Sequence, residues 1–342
     1  LKVIDDNGQY AELEDTINVR DGVWVLFRAG NAGATFYVSD DPSSWPLALT
    51  RTPYVVTNLK GAWQLGNGDI VVGSTTDSGE RFTKTSISPT ELRTEPVTLP
   101  SDIVRIRTFG DISLAFRSTT LSSSTSYFSK VGNGAWQEHT LSGSLEGRRI
   151  GDVGRTSTGR WISYVQFASD YDPVYSDDPG VPTNWTVAST PAGHPGVLEH
   201  LVAVSGERVL IPITSSRFLY SDNNGESYVV TTPSSSTTLG DFRDVWVSGD
   251  TVIFVGQASS GNNSIFVSHD FGVSFTGHST ASAAMWRVEE HNGILCASGA
   301  APIEGGSNVY VSKDMGSTWS AAALPYTTAG GELAAVGVIR RS

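Results

Sequence analysis

Short apolar runs, four to six residues long and bounded by glycine, serine, asparagine or aspartate, recur along this chain, while helical periodicity is almost absent. Val209-Leu210-Ile211-Pro212-Ile213, Val252-Ile253-Phe254-Val255, Ile112-Ser113-Leu114-Ala115-Phe116 and Val309-Tyr310-Val311 are examples. Such runs predict β-strands joined by tight turns. One turn stands out, Ser312-Lys313-Asp314-Met315-Gly316-Ser317-Thr318-Trp319, lying between Asn308-Val309-Tyr310-Val311 and Ser320-Ala321-Ala322-Ala323-Leu324. Its Ser or Thr returns at Ser39, Thr83, Ser129, Ser176, Ser221 and Ser268, at intervals of 44 to 47 residues. A period of about 45 residues matches one four-stranded propeller blade per repeat. The pattern therefore predicts an all-β, seven-bladed β-propeller in one domain. Its four-stranded antiparallel blades fall at roughly 1–58, 59–100, 101–146, 147–196, 197–240, 241–282 and 283–342.

The turn explains itself locally. Asp314 can accept hydrogen bonds from the turn's own N–H groups, Gly316 can take a positive φ, and Trp319 folds back as an apolar plug. Asp270 and Gly272 repeat the arrangement in full, and Asn223 stands at the Asp position of the fifth unit. Asp178 is followed late by its aromatic, Trp185, and the turn around Asp41 is one residue short. Val131 replaces the aspartate in the third unit, and the second is assigned by spacing alone. After Trp319, Leu333 to Ile339 reads as a further strand that closes the ring and removes an exposed edge. Either that segment or Leu1 to Tyr10 lies innermost.

The spacing Ser-x-Asp-x-Gly-x-Thr-Trp resembles the Asp-box, or BNR repeat. This resemblance implies box turns between the third and fourth strands of each blade, facing away from the ligand side. Asp-boxes occur in sialidases and other glycoside hydrolases, in sortilin-like receptors, in photosystem assembly factors, and in phage and secreted propellers. Fold alone does not assign function. A sialidase would carry an early Arg-Ile/Leu-Pro motif, but Asn18-Val19-Arg20-Asp21 departs from it and Leu210-Ile211-Pro212 has no arginine. The degenerate boxes and the Ser/Thr/Gly-rich loops are closer to non-enzymatic phage or secreted propellers. That likeness gives the first expectation, a structural or receptor-binding virion component; the wider Asp-box resemblance gives two alternatives, a sialidase-like glycosidase working at the channel mouth and a photosystem-type assembly factor. The partners expected are other virion or cell-surface proteins, or glycans.

Composition narrows this further. The chain has 342 residues and a net charge of −12, with no basic stripe to meet a phosphate backbone, so nucleic acid is a disfavoured partner. No apolar run is long enough to cross a bilayer as a helix. A chain opening at Leu1 in place of Met points to processing, truncation or a preceding leader and does not fix a location; a virion or extracellular location is what the resemblance implies. Cys296 is the single cysteine, within the apolar Ile294-Leu295-Cys296-Ala297, and reads as a buried strand residue. No cofactor motif is present.

Two clusters invite chemistry. Arg20, Arg105, Arg107, Arg155, Arg243 and Arg287 fall on or beside the predicted inner strands. With Trp63, Trp246 and Trp286 they would make an anion pocket at the channel; the alternative is inter-blade pairing with Asp152, Asp244 and Glu289. Asp170, Asp172 and Asp177 alternate along one segment and form a weak Ca²⁺ candidate, although the spacing is not that of a calcium loop. No catalytic pair can be nominated from spacing.

Overall fold

The computed structural model describes residues 103–117, 126–167, 170–192, 201–214, 217–235, 239–257, 263–280, 284–299 and 308–323. Elsewhere it describes the strands named below, residues 41–45 and residue 65. The described regular structure is β-strand throughout, apart from a 3-10 turn at Gly143–Leu145.

Five regular blades follow one another in sequence, each an antiparallel sheet whose strands are added outward. Blade I comprises Ile103–Phe109, Ile112–Arg117, Ser126–Val131 and Gln137–Thr140. Blade II comprises Arg149–Arg155, Trp161–Phe167, Asp170–Ser176 and Thr186–Val187. Blade III comprises Ala203–Ser205, Arg208–Thr214, Arg217–Ser221 and Val229–Thr231. Blade IV comprises Asp241–Ser248, Thr251–Gln257, Asn263–Ser268 and Ser274–Ser279, and blade V comprises Met285–His291, Ile294–Gly299, Val309–Ser312 and Ser320–Ala321.

This corrects the expected seven-bladed propeller of like blades: the regular blades number five. Two further sheets lie between blade V and blade I and depart from the plan. In one, the C-terminal strand Ala334–Arg340 pairs antiparallel with Gly22–Arg28, ahead of Thr35–Ser39 and Leu47–Thr50. In the other, Gly61–Gln64, Ile70–Gly73 and Ser78–Phe82 are followed by a separate hairpin, Ile87–Ser88 with Glu91–Leu92, before Glu95–Thr98 completes the sheet. A residue count cannot register a hairpin inserted between third and fourth strands, which is why an even period concealed the irregularity. Blade IV departs in a smaller way, gaining Ser234–Ser235 as a parallel fifth strand. The C-terminal strand is thus the closing one; among the described residues the N-terminal Lys2–Ile4 and Tyr10–Glu12 pair with each other and with no further strand.

The box turns adopt the geometry their residues dictate. Ser312 Oγ donates to Asp314 Oδ1 at 2.8 Å and accepts from Gly316 N at 2.8 Å, while Thr318 donates N–H and hydroxyl to the Asp314 carboxylate at 2.9 and 2.7 Å. Met315 and Gly316 have φ of 56° and 91°, the left-handed corner that glycine accepts without a Cβ penalty. Asp270 repeats the set with Ser268, Gly272 and Ser274. Asn223 makes the bonds with Ser221 and Ser227, and Asp41 binds Ser43 N at 3.0 Å. In blade II, Thr183 N and Asn184 N reach Asp178 across the longer turn at 2.6 and 2.8 Å. Burial alone would raise the Asp178 carboxyl, but those N–H donors outweigh it and hold it at about 2.

Each box aromatic also leaves its own hairpin and packs against the preceding sheet. Trp319 lies on the cluster of Ile253, Val255, Val267 and Met285, Phe275 enters that of Leu210 and Phe218, and Tyr228 that of Ile162 and Ile211. Trp185 and Trp136 do likewise, and Trp45 joins Cys296 and Val309 of blade V. Backbone bonds reinforce these seams: Ser189 N donates to Glu226 O, and Trp45 N to Ala323 O. The motif is therefore both a corner and the joint between blades.

Candidate functional site

The order of strands fixes where a site can lie. In an antiparallel blade the turn after the third strand is at the end opposite the start of the inner strand, so the box turns and the beginnings of the inner strands occupy opposite faces. At that opposite face, inner strands of four regular blades carry a β-bulge near their start: between Ile103 and Arg105, Ile150 and Val153, Phe242 and Asp244, and Met285 and Arg287. A bulge inserts a residue and re-aims its neighbours. Glycine on the second strand makes room for two of them. A Cβ on Gly256 would lie 1.9 Å from Asp241 O, and one on Gly299 would lie 2.2 Å from Ala284 O.

Around the channel these bulges assemble an ion-pair network. Arg107 of blade I donates from Nε to Asp152 Oδ1 of blade II at 2.8 Å, and from Nη2 to Asp152 Oδ2 at 3.0 Å and Asp244 Oδ1 of blade IV at 3.3 Å. Arg105 donates from Nη1 to Asp152 at 3.1 Å and from Nη2 to the Arg243 carbonyl at 2.6 Å. Arg287 Nη1 stands 3.7 Å from Asp244, its guanidinium 5.1 Å from the Trp63 ring centre. Blades I and IV are not neighbours, so the Arg107 bridge crosses the channel. Both carboxylates also clip the next blade, Asp152 accepting from the N–H of Val202, just before the inner strand of blade III, and Asp244 from that of Val288, within the inner strand of blade V, each at 3.2 Å.

The side chains of Asp152 and Asp244 are 0% and 2% exposed, so their charges are tolerable only because they are paired and hydrogen-bonded. Burial raises Asp152, yet the charges of Arg107 and Arg105 prevail and hold it below the usual carboxylate range. Burial likewise works against the Arg107 charge, but Asp152 and Asp244 overcome it and raise its pKa. Arg287 goes the other way: burial lowers it, Asp244 opposes, and Arg105 and Arg107 add to the lowering. Tyr164, whose hydroxyl accepts from Asp152 N at 3.3 Å, is pushed well up by burial and by Asp152.

The predicted site residues thus divide. Arg105, Arg107 and Arg287 converge with Trp63, and with Asp152 and Asp244, in the inter-blade pairing that was the alternative to an open anion pocket. Arg243 and Trp286 form a separate pair at the mouth, the guanidinium 5.2 Å from the ring centre. Trp246 packs into the seam between blades IV and V, and Arg155 turns to the box face, where it stacks on Trp161 and donates to Gly159 O and Pro179 O. Arg20 lies outside the described residues. The weak Ca²⁺ candidate is not assembled: Asp172 pairs with Arg148 and Asp177 with Arg160, and the Asp170 side chain lies outside the described residues. Among the described residues no His/Cys/Asp/Glu group is placed to hold a metal ion. Sequence reasoning missed the acceptor role of the two aspartates toward Val202 and Val288, and Tyr164. The glycines closing second strands, Gly256 and Gly299, were the available signal for the bulges.

No protein-family model matches the chain, and no curated relative matches it. Solved structures do. The chain is similar to a streptogramin B lyase (12% identity, 79% of this chain and 84% of that chain, TM-score 0.56). It is similar to the virginiamycin B lyase of Staphylococcus aureus (11% identity, 80% and 86%, TM-score 0.54) and to a protein from Lactobacillus plantarum (11% identity, 93% and 100%, TM-score 0.58). At these identities the likeness carries the fold alone: the chain has the β-propeller fold. Membership of the Asp-box family is not among the matches.

Proposed function

We propose that this propeller works by binding, as a structural or recognition module, and not by catalysis at its channel. The observation that supports this is the state of the two channel carboxylates. A glycosidase needs one carboxylic acid able to give a proton and a second carboxylate free to act as base or nucleophile. Asp152 is held ionised by two guanidiniums, and both Asp152 and Asp244 spend oxygens on backbone N–H groups of the next blade. The partner is another protein or a glycan; on the resemblance to phage and secreted propellers, it belongs to a virion or a cell surface.

The test has two arms. A panel of aryl glycosides and sialosides is incubated with folded protein, and no aglycone release is expected; turnover abolished by Asp152→Asn in a sample that stays folded would refute a binding-only role. For the virion placement, the protein should co-purify with particles at a fixed ratio, and its recovery only as free protein from a particle-bearing source would exclude that placement.

A further inference from the structure

We propose that the channel mouth carries a carboxylate-binding site centred on Arg243, an assignment that rests on the binding role above and names the ligand chemistry of its mouth. A bulge and two contacts place this arginine. It is the bulged residue between Phe242 and Asp244, so its side chain leaves the regular face of the strand. Its carbonyl is fixed by Arg105 Nη2 at 2.6 Å. Its guanidinium stands over Trp286, the bulged residue of the adjacent blade, with 5.2 Å to the ring centre. Stacking covers one face of the guanidinium and leaves its in-plane N–H donors directed away from the ring.

Yet among the described residues no acceptor meets these donors. Among the described residues, the nearest carboxylate to Arg243 is Asp241, at 3.9 Å and beyond hydrogen-bond reach, and the Arg243 side chain remains 40% exposed. This sets it apart from Arg105, Arg107 and Arg287, which face the buried aspartates. The Trp286 indole N–H is itself buried, with no hydrogen-bond partner among the described residues. A cation seated on a ring by one face, on a backbone that is itself pinned, binds an anion at a lower ordering cost than a free surface arginine. The fork of an arginine matches the two oxygens of a carboxylate, in a pair of parallel hydrogen bonds. The carboxylate belongs either to a small organic acid or to an acidic peptide side chain, and Asp241 is its built-in competitor.

The test follows the Trp286 indole N–H resonance of the full chain while succinate, an Ac-Glu-Glu-NH2 peptide or inorganic phosphate is added. Succinate or the peptide should shift that resonance saturably, and whichever binds tighter identifies the source of the carboxylate. Arg243→Gln should weaken binding about ten-fold or more, as expected for loss of a charged hydrogen-bond pair. Asp241→Asn should strengthen it by roughly two- to five-fold, as expected when a nearby competing charge is removed. A merely structural Arg243 would not produce that opposite pair of effects. Absence of any shift, shifts unchanged by Arg243→Gln, or phosphate binding tighter than both carboxylates would each overturn the assignment. None of those results would create glycoside turnover, so the binding role stands or falls separately.

Discussion

Replacing Gly272 by alanine tests the claim that a box turn is a joint between blades. Gly272 has φ of +88°, and a Cβ there would sit 2.6 Å from Leu210 Cδ2 and 3.2 Å from Cδ1 on blade III. Leu210 is fully buried in one cluster with Phe218, Phe242 and Phe275, so its displacement disturbs a close-packed core. The left-handed backbone costs an alanine about 1 kcal/mol, and overpacking a full core adds about 1–3 kcal/mol. Stiffening of the unfolded chain returns about 0.4–1 kcal/mol, leaving a loss of roughly 1–3.5 kcal/mol. Gly249 is the control, because its φ is also positive, +58°, but nothing lies within 4 Å of its would-be Cβ. Gly249→Ala should therefore cost no more than about 1 kcal/mol. Urea unfolding of both variants, repeated with Leu210→Ala, measures the difference and the coupling. In the Leu210→Ala background the Gly272 penalty should shrink by about 1–2 kcal/mol. Equal losses for Gly272→Ala and Gly249→Ala, or no coupling to Leu210, would refute the joint and leave only the local turn.

Three further outcomes follow from the same geometry. Asp152→Asn leaves Arg105 and Arg107 short of a buried counter-charge and should cost about 3–5 kcal/mol in urea unfolding, whereas a loss under about 1 kcal/mol would show the channel tie to be energetically idle. The Asp314 carboxyl is held at about 2 by the hydroxyl and N–H of Thr318, below its unfolded value. Its contribution is therefore present above about pH 4 and lost as the pH falls toward 2. Wild type should accordingly lose more stability than Asp314→Asn between pH 5 and 2, and parallel curves would contradict this. The Cys296 thiol is fully buried and its pKa is raised, by burial first and then by Glu289, so a disulfide reagent should leave it unmodified in the native protein and titrate it in urea; fast native labelling would refute the burial.

How much of this was legible in the sequence depended on the range of the interaction. The box turns could be read because, among the described residues, the hydrogen-bond partners of the Asp314 and Asp270 carboxylates lie within four residues, so the motif contains its own explanation. Their second role could not, because Gly272 meets Leu210 and Gly316 meets Ile253 with no shared pattern to announce the pairing. Periodicity gave the blade plan but overcounted regular blades. The hairpin Ile87–Ser88 with Glu91–Leu92 consumes the same length of chain as an ordinary turn and strand, so spacing is blind to it. Likewise the choice of closing strand rested on register, and only the pairing of Gly22–Arg28 with Ala334–Arg340 decides it.

The channel shows the same limit in electrostatic form. Six arginines near inner strands carry one composition but three fates: pairing with buried aspartates for Arg105, Arg107 and Arg287, an open edge for Arg243, and the box face for Arg155, with Arg20 outside the described residues. What separates Arg243 from Arg287 is a single bulge step. Arg243 occupies the inserted position and Arg287 the position after it, so one points to the mouth and the other to the buried carboxylates. A bulge is a one-residue slip, and a slip of one residue exchanges faces. Charge content alone therefore cannot locate a binding site on this fold; the register of each inner strand does, and its sequence trace is the glycine across the strand at Gly256 and Gly299.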